Sequence, residues 1–235
     1  VHLWEDHGPA MLDRLHGMFA LCVHDRRTGE TFLARDRLGI KPLFWSRSGD
    51  TLAFASEPGV LLGHPAVSRE VDLDGVLERF VLQYVPGDGT VYRDVRKLPP
   101  GHVLRVVDGD VRVSRWWSIP PADDGAGEDV ESVARELRAR VADAVSERTI
   151  ADVPLGMFLS GGVDSSAVVA MMAQLQSDPV NTCAIGFDVE QFDETLFARQ
   201  VAERYHTNHL ERTVTSDNFD LLDKLAGLYD EPYAD

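Results

Sequence analysis

The pattern of apolar segments changes near residue 120, and this change limits the possible folds more than any other feature. Before it, short apolar runs come in pairs around tight turns, as in "LFWSR", "SGD" and "TLAFAS". Such pairs are typical of antiparallel hairpins. After it, strand-like runs alternate with helix-like ones, as in "PLGMFLS" followed by "SSAVVAMMAQLQ". This alternation indicates a parallel sheet covered by helices. The sequence therefore predicts a β-rich domain followed by a parallel α/β domain.

Three hairpins and one helix are predicted in the first half. The hairpins are "GMFALCVHD" with "TFLARD", "LFWSR" with "TLAFAS", and "HVLRVV" with "VRVSRWW", the last pair joined by an Asp-Gly turn. The run "DLDGVLERFVLQYV" predicts a helix, with Asp72 or Asp74 as its cap. The Gly and Pro content of "VPGDGTVYRDVRKLPPG" indicates a long loop.

A segment without apolar periodicity, "SIPPADDGAGED", separates the halves, and we predict a linker at 118–127. Beyond it, helices are predicted from apolar residues at every fourth position. These residues are Val133, Leu137, Val141 and Val145 in one helix and Phe197, Val201 and Tyr205 in another. The strand "HLERTVT" and the helix "NFDLLDKLAGLYD" follow.

Composition excludes several classes of protein. A formal net charge of −16 would repel nucleic acid and acidic membrane surfaces. The two cysteines are far apart and form no CxxC pair, so neither a disulfide framework nor a zinc cluster is indicated. No apolar run approaches the roughly 18 residues that a membrane helix needs, and no secretion signal is visible. A cytoplasmic protein is therefore expected. The chain starts without Met and has no obvious terminal element, which predicts a fragment of a longer protein.

The turn "SGGVDSS", residues 160–166, lies between a predicted strand and a predicted helix. In open parallel sheets this is where ligands bind. Gly161 and Gly162 permit close backbone approach, and the start of the helix attracts an anion. Ser160, Ser165 and Ser166 add hydroxyl donors. These features favour a phosphate-binding loop.

Asp164 would repel a bare phosphate, but Mg²⁺ between the two makes the pair favourable. The alternative is that Asp164 only caps the helix and the glycines only turn the chain. The G-x-x-x-x-G-K-[ST] and GxGxxG patterns are both absent.

The loop resembles the pyrophosphate loop of ATP pyrophosphatases. In the first half, "RLHGMFALCVHD", "FLARDRLGIKPLFW", "LAFASE" and "KLPPGHVL" resemble an N-terminal-nucleophile glutaminase domain. Together with "FDETLFARQVAERY" and "YDEPYAD", they make the chain similar to glutamine-hydrolysing asparagine synthetases, close to the subgroup associated with exosortase and exopolysaccharide systems. The resemblance implies part of a glutaminase domain at 1–117 and part of a Rossmann-like ATP-pyrophosphatase domain at 128–235.

The resemblance implies a reaction that takes place at two sites. Glutamine is hydrolysed in the first domain, and the ammonia passes through an internal tunnel to attack a β-aspartyl-AMP made from aspartate and ATP. Mg²⁺ accompanies the ATP, and a homodimer is possible. The alternatives are amidation of another carboxylate, a relative such as β-lactam synthetase without the glutaminase nucleophile, or a non-catalytic nucleotide-binding protein.

Carried onto this sequence, the resemblance implies that the ATP site contains Leu159, Ser160, Gly161, Gly162, Val163, Asp164, Ser165, Ser166 and Ile185. Asp164 would reach Mg²⁺ through the pyrophosphate, and Leu159 and Ile185 would hold the adenosine. The alternative for Ile185 is core packing alone.

The glutaminase nucleophile of the family is a cysteine at the mature N-terminus, but this chain starts at Val1. We expect Cys22 to be a small buried hydrophobic residue instead. The family's later S-G-x-G-x-D-E segment is absent too. We therefore expect the 235-residue chain alone to catalyse neither half-reaction.

Three further groups of polar residues have candidate roles. Asp230, Glu231 and Asp235 in "DEPYAD" could line the substrate site or form an acidic turn. The residues Arg35 to Lys41 predict a charged structural turn satisfied by its own ion pairs. His206 and His209 lack a third ligand, so a solvated loop is favoured over a metal site.

Overall fold

The computed structural model describes residues 1–122, 129–189, 191, 193–214, 224 and 227–231. The chain forms two compact units. Unit 1 comprises residues 1–121 and 221–235, and unit 2 comprises residues 122–220. Among the described residues, no helix is both long enough and apolar enough to cross a lipid bilayer.

Unit 1 begins with helix α1 (His2–His7) and a 3₁₀ helix (Gly8–Arg14). Its strands are β1 (Ala20–Asp25), β2 (Glu30–Arg35), β3 (Phe44–Ser48), β4 (Thr51–Ala55), β5 (Arg96–Lys97), β6 (His102–Val107) and β7 (Asp110–Arg115). Two helices, α2 (Pro58–Leu62) and α3 (Leu73–Leu82), lie between β4 and β5. The strands form two antiparallel sheets, in the orders β1-β2-β6-β7 and β4-β3-β5.

The three predicted hairpins are present as β1-β2, β3-β4 and β6-β7. In the last, Asp108 and Gly109 have φ of 51° and 84°, the left-handed values that a tight two-residue hairpin turn needs. Asp72 caps α3 by accepting a hydrogen bond from the amide of Asp74 at 3.2 Å. The predicted long loop contains the short strand β5, because Arg96 and Lys97 pair with β3.

Two apolar clusters form the core around the four-stranded sheet. In one, Trp4 packs against Phe32 with the two rings tilted by 45° and their centroids 4.9 Å apart. In the other, Leu33, Leu98 and Leu104 are fully buried. The expectation that Cys22 is buried is wrong: period-two alternation in β1 turns Leu21 and Val23 inward, and the Cys22 side chain is exposed.

Unit 2 contains a parallel three-stranded sheet in the order β10-β9-β8. Its elements are α4 (Val130–Glu147), β8 (Gly156–Phe158), α5 (Val163–Leu175), β9 (Asn181–Phe187), α6 (Thr195–Arg204) and β10 (Asn208–Val214). The observed class is therefore the predicted one, an antiparallel β-rich unit and a parallel α/β unit.

Helix burial in unit 2 differs in part from the sequence pattern. In α4, Val145 is buried and Val141 packs beside it, but Val133 and Leu137 are 43% and 60% exposed. The buried face expected from the four-residue spacing is therefore wrong at the N-terminal end of the helix. In α6 the buried residues are Thr195, Ala198 and Ala202, and the two alanines let the helix approach the sheet closely. Phe197, the first residue of the predicted row, is 57% exposed.

Two predicted segments fall partly outside the described residues. Of the linker predicted at 118–127, residues 118–122 belong to no helix or strand, and 123–127 are not described. Of the last predicted helix, residues 218–223 and 225–226 are also outside the described set, while Gly227 and Leu228 are helical.

Candidate nucleotide-binding site

The loop of residues 160–166 leaves the carboxyl end of β8 and leads into α5. Its start is fixed by Leu159, which is 1% exposed and whose amide donates to the Cys183 carbonyl at 2.8 Å. Gly161 has a φ of +80°, and a Cβ there would lie 2.4 Å from Phe197 Cβ and 2.6 Å from the Ala198 amide nitrogen. Only glycine satisfies both the backbone and the close approach of α6.

The loop hydroxyls converge on each other. Ser160 Oγ lies 3.1 Å from Ser165 Oγ and accepts the Gly162 amide at 3.3 Å. Ser165 Oγ also donates to the Gly162 carbonyl at 3.3 Å. These contacts gather hydroxyl groups at the N-terminal end of α5.

Donors at the same place lack partners among the described residues. No side chain caps α5 at Gly162, and the Ser166 hydroxyl is buried without a hydrogen-bond partner. Uncapped amides at a helix start together with the helix dipole favour an anion. The residues present therefore fit a phosphate group.

Asp164 lies in the first turn of α5 with an exposed side chain. Among the described residues, no group of three or more His, Cys, Asp or Glu side chains is placed to hold a metal ion. A single carboxylate is nevertheless a usual protein ligand for Mg²⁺ when phosphate and water supply the other oxygens. Asp164 fits that limited role.

A cleft of about 210 Å³ opens beside the loop, at the carboxyl ends of β8 and β9. Its lining is mostly apolar and includes Phe158, Leu159, Ser160, Ile185, Phe187 and Thr195. Ile185 is 48% exposed, so its side chain is not part of the core. An apolar wall next to a polar phosphate-binding loop suits a nucleotide.

Asp230 and Glu231 of "DEPYAD" belong to unit 1. Asp230 Oδ2 accepts the Gly59 amide at 2.8 Å, and Glu231 Oε1 accepts the Val91 amide at 3.4 Å. Asp235 is outside the described residues. Both described carboxylates thus accept a backbone amide in unit 1, and acceptor binding by Asp230, Glu231 or Asp235 stays a prediction.

The two histidines do not form a site together. His206 is exposed in a turn with φ of 50°. His209 lies in β10 rather than in a loop, with Nδ1 2.8 Å from Thr182 Oγ1 and Nε2 3.2 Å from Glu211 Oε1.

Glu211 in turn accepts two hydrogen bonds from the Arg199 guanidinium, at 2.8 Å each for Nε to Oε1 and Nη2 to Oε2. These hydrogen bonds with Arg199 are the main reason that the pKa of Glu211 is lowered. This network was not predicted from the sequence. The only signal was the alternation of polar residues at His209 and Glu211 in a strand, which places both on one face.

Two family models match the chain. The model described as a glutamine amidotransferase domain matches residues 1–117. The model described as asparagine synthase matches residues 136–235.

Curated relatives match over the whole chain or nearly so. A putative glutamine-hydrolysing asparagine synthetase of Methanocaldococcus jannaschii is 32% identical over 100% of this chain and 46% of the relative. A putative asparagine synthetase of Mycobacterium bovis is 35% identical over 100% of this chain and 36% of its own length. Asparagine synthetase 3 of Bacillus subtilis is 29% identical over 91% of this chain and 37% of its own. The chain thus spans between about a third and a half of these relatives.

Among solved structures, glutamine phosphoribosylpyrophosphate amidotransferase from B. subtilis, complexed with ADP and GMP, is similar over 97% of this chain and 64% of that chain. The identity is 14% and the TM-score is 0.33, which is too low for an argument from structure. The fold class rests on the strand orders described above and on the two family models.

Proposed function

Because the chain belongs to the glutamine-hydrolysing asparagine synthetase family, we propose that it is part of an ATP-dependent amidotransferase that makes asparagine. Residues 1–117 are the amidotransferase part, 118–127 a linker and 128–235 the ATP-using part. In the overall reaction, an aspartate carboxylate oxygen attacks the α-phosphorus of ATP and releases pyrophosphate. Ammonia then attacks the acyl carbon, forms the amide and releases AMP.

The observation that carries this proposal is the open set of donors at the start of α5. The uncapped amides and the unpartnered Ser166 hydroxyl are suited to phosphate oxygens. Ser160 and Ser165 add two hydroxyls that lie 3.1 Å from each other in the same loop. We assign the pyrophosphate portion of ATP to the loop of residues 160–166.

The adenosine portion is assigned to the adjacent cleft. Leu159 and Ile185 come from neighbouring strands and line it together. Leu159 is rigidly held by burial, and Ile185 presents an exposed apolar surface for the base. The cleft would exclude water from one side of the nucleotide.

Asp164 is the residue that would hold Mg²⁺ beside the pyrophosphate. The metal ion would neutralise charge on the phosphates and thereby favour their departure. The carboxylate of Asp164 makes no hydrogen bond or ion pair with any described residue, so it is available for this contact.

Ammonia is assigned to glutamine hydrolysis in the amidotransferase part. We expect no such hydrolysis from the 235-residue chain alone, because Cys22 lies within β1, paired with β2, and lacks an adjacent amine to act as its base. Ammonia released from glutamine by the purified chain would contradict this expectation.

The proposed partners are the small molecules glutamine, aspartate and ATP. Nucleic acid is not proposed as a partner, since a net charge of −16 repels it. A cytoplasmic homodimer is proposed for the full-length protein, and light scattering tests its oligomeric state.

The deciding experiment uses the full-length protein with Mg-ATP and glutamine, with and without aspartate. AMP, pyrophosphate and asparagine are followed together. Appearance of all three only with aspartate is the expected result. Glutamate release without aspartate-dependent AMP would mean that the acceptor is another acid, and absence of both activities would overturn the proposal.

A further inference from the structure

Five polar residues, named here the polar cluster, connect helix α6 with the sheet on which it packs. They lie beside the apolar core of unit 2, since Glu211 is opposite the buried Ala184 in the sheet register. The members of the polar cluster are Thr182 in β9, Thr195 and Arg199 in α6, and His209 and Glu211 in β10.

Within the polar cluster, the pair of Arg199 and Glu211 joins α6 to β10. Arg199 Nε donates to Glu211 Oε1 and Arg199 Nη2 donates to Glu211 Oε2, each at 2.8 Å. Two parallel hydrogen bonds between a planar guanidinium and a carboxylate set an orientation as well as a distance. The pair therefore fixes how α6 lies on the sheet.

His209 extends this connection to a second strand. Because a carboxylate only accepts, His209 Nε2 donates to Glu211 Oε1, at 3.2 Å. Its Nδ1 lies 2.8 Å from the Oγ1 of Thr182, a residue that is 3% exposed. The side chains of His209 and Glu211 are themselves only 13% and 25% exposed. Removing the Arg199 guanidinium would leave a largely buried carboxylate without its main partner, which is unfavourable.

Helix α6 also carries the surface against which the loop of residues 160–166 lies. A Cβ at Gly161 would be 2.4 Å from Phe197 Cβ and 2.6 Å from the Ala198 amide nitrogen. The loop backbone is therefore in direct contact with α6. Arg199 is the next residue of the helix, so any shift of α6 at Arg199 changes the support of Gly161.

The start of α6 borders the cleft beside the loop. Thr195 lines this cleft, and its hydroxyl donates to Asp193 Oδ2 at 3.1 Å. Arg199 Nη2 lies 3.5 Å from Thr195 Oγ1. One guanidinium thus contacts both the Glu211 carboxylate and the turn of α6 that lines the cleft.

We propose that Arg199 and Glu211 are positioning residues for the nucleotide site, an inference that rests on the proposed function. Neither touches the nucleotide. Their pair holds α6 on the sheet, and α6 in turn keeps Gly161 and Thr195 where the loop and the cleft can bind Mg-ATP. A displaced loop binds the nucleotide less well in the ground state and in the transition state alike, so KM rises while kcat is kept.

The test uses the full-length protein with three variants of the pair. Arg199→Met keeps the apolar stem and removes the guanidinium, Glu211→Gln keeps the shape and removes the charge, and the third variant combines both. Arg199→Lys is added because it keeps the charge but cannot make two parallel hydrogen bonds.

Arg140→Met is the matched control. Arg140 also pairs with a glutamate in unit 2, Glu136, at 2.6 Å, but both residues lie on the exposed surface of α4. The same substitution therefore removes an ion pair without separating two elements.

Pyrophosphate release at varied Mg-ATP gives KM and kcat separately, and calorimetry gives the Kd for Mg-ATP. Thermal unfolding by circular dichroism gives the Tm of each variant. All kinetic measurements are made at one temperature below every Tm, so that a lower stability alone does not change KM.

The expected result is a rise in KM and Kd for Mg-ATP of about fivefold in Arg199→Met and in Glu211→Gln, with kcat within about twofold of the wild type. The double variant shows the same rise and not its square, because both substitutions remove one interaction. Arg199→Lys recovers part of the affinity. Arg140→Met behaves as wild type.

Four outcomes would overturn the inference. A lower Tm with unchanged KM would mean that the pair only supports folding. A fall in kcat at unchanged KM would mean that the pair acts on the chemical step. Effects that multiply in the double variant, or an equal rise in Arg140→Met, would mean that the pair does not act as a specific unit. All four leave the wild-type protein active, whereas a wild-type protein that neither binds Mg-ATP nor releases pyrophosphate would overturn the proposed function, and this inference with it.

Discussion

Two turns, one in each unit, both carry an aspartate and a glycine with positive φ, yet they treat their polar groups in opposite ways. In unit 1, Asp36 is 2% exposed, and its carboxylate accepts the amides of four residues: Phe19, Leu38, Ile40 and Lys41. In unit 2, Asp164 is exposed and its side chain contacts no described polar group. Gly39 and Gly161 have φ of 68° and 80°.

The turn at Asp36 is saturated with hydrogen bonds to protein groups. Burial alone would raise the pKa of Asp36, but the amide hydrogen bonds outweigh it and hold the pKa below its ordinary value. The Arg35 guanidinium completes the set by donating to the carbonyls of Gly39, Lys41 and Leu98 at 2.7 to 2.8 Å. The Asp36 carboxylate and the Arg35 guanidinium both have several protein partners, so this turn stabilises the fold.

The turn of residues 160–166 has polar groups without a partner among the described residues. The start of α5 has no side-chain cap, and the Ser166 hydroxyl is buried without a partner. Buried polar groups are normally satisfied, and exceptions call for an explanation such as a missing ligand. The difference between the two turns supports the proposal that the loop of residues 160–166 binds a ligand.

The largest expected effect is that of Asp36→Ala on the stability of unit 1. The substitution leaves four backbone amides without their acceptor, and we expect a loss of about 3–5 kcal/mol in the free energy of unfolding. All four tryptophans of the chain lie in unit 1, so urea titration followed by tryptophan fluorescence reports its unfolding. Asp164→Ala is the control, with no expected change. A loss below about 1 kcal/mol for Asp36→Ala would contradict the saturated-turn interpretation.

Gly161→Ala is expected to have the next largest effect. Alanine at φ of +80° is strained, and its Cβ would collide with Phe197 and Ala198. We expect unit 2 to lose about 2–3 kcal/mol and Mg-ATP binding to fall below detection. Circular dichroism on heating and titration calorimetry measure the two effects. Gly162→Ala, with φ of −66° and its nearest neighbour Ser160 Oγ at 3.3 Å, should retain stability.

Local patterns could be predicted from the sequence because neighbouring residues carry them. The hairpins, the order of strands and helices, and the contiguous turn at Ser160 to Ser166 all depend on short stretches. The saturation of Asp36 could not be predicted in detail. The sequence indicated ion pairs within the turn, whereas the structure uses backbone amides and carbonyls, some of them from distant positions such as Leu98.

Contacts between separate elements could not be predicted from the sequence either. Gly161 lies against α6, which is a separate element. Residues from three elements form the hydrogen-bond network of Thr182, His209, Glu211 and Arg199. The exposed N-terminal end of α4 and the exposed Cys22 show the same limit. Periodicity predicts which face of an element is apolar, but the neighbours decide how much of that face is covered.

Asp164→Asn tests whether the exposed carboxylate serves ligand binding and not stability. The exposed carboxylate supports no described contact, so stability should change by less than about 0.5 kcal/mol. If Asp164 holds Mg²⁺, the affinity for Mg-ATP should fall about tenfold or more, because a neutral amide is a weaker ligand. Calorimetry of the full-length protein with ATP, with Mg²⁺ and with EDTA, measures this. A deficit that persists in EDTA would show that Asp164 does not act through the metal.

Ser166→Ala tests the open turn with the smallest chemical change. Its hydroxyl has no described partner, so its removal should leave stability within about 1 kcal/mol of the wild type. Ser46 in unit 1 is the matched control, because its hydroxyl is also buried and unpartnered but lies far in sequence from the loop. Only Ser166→Ala should weaken ATP binding, by about fivefold, the cost of one lost hydrogen bond to phosphate. Equal ATP affinity in both variants would mean that an unpartnered hydroxyl here is a packing defect and not a mark of ligand binding.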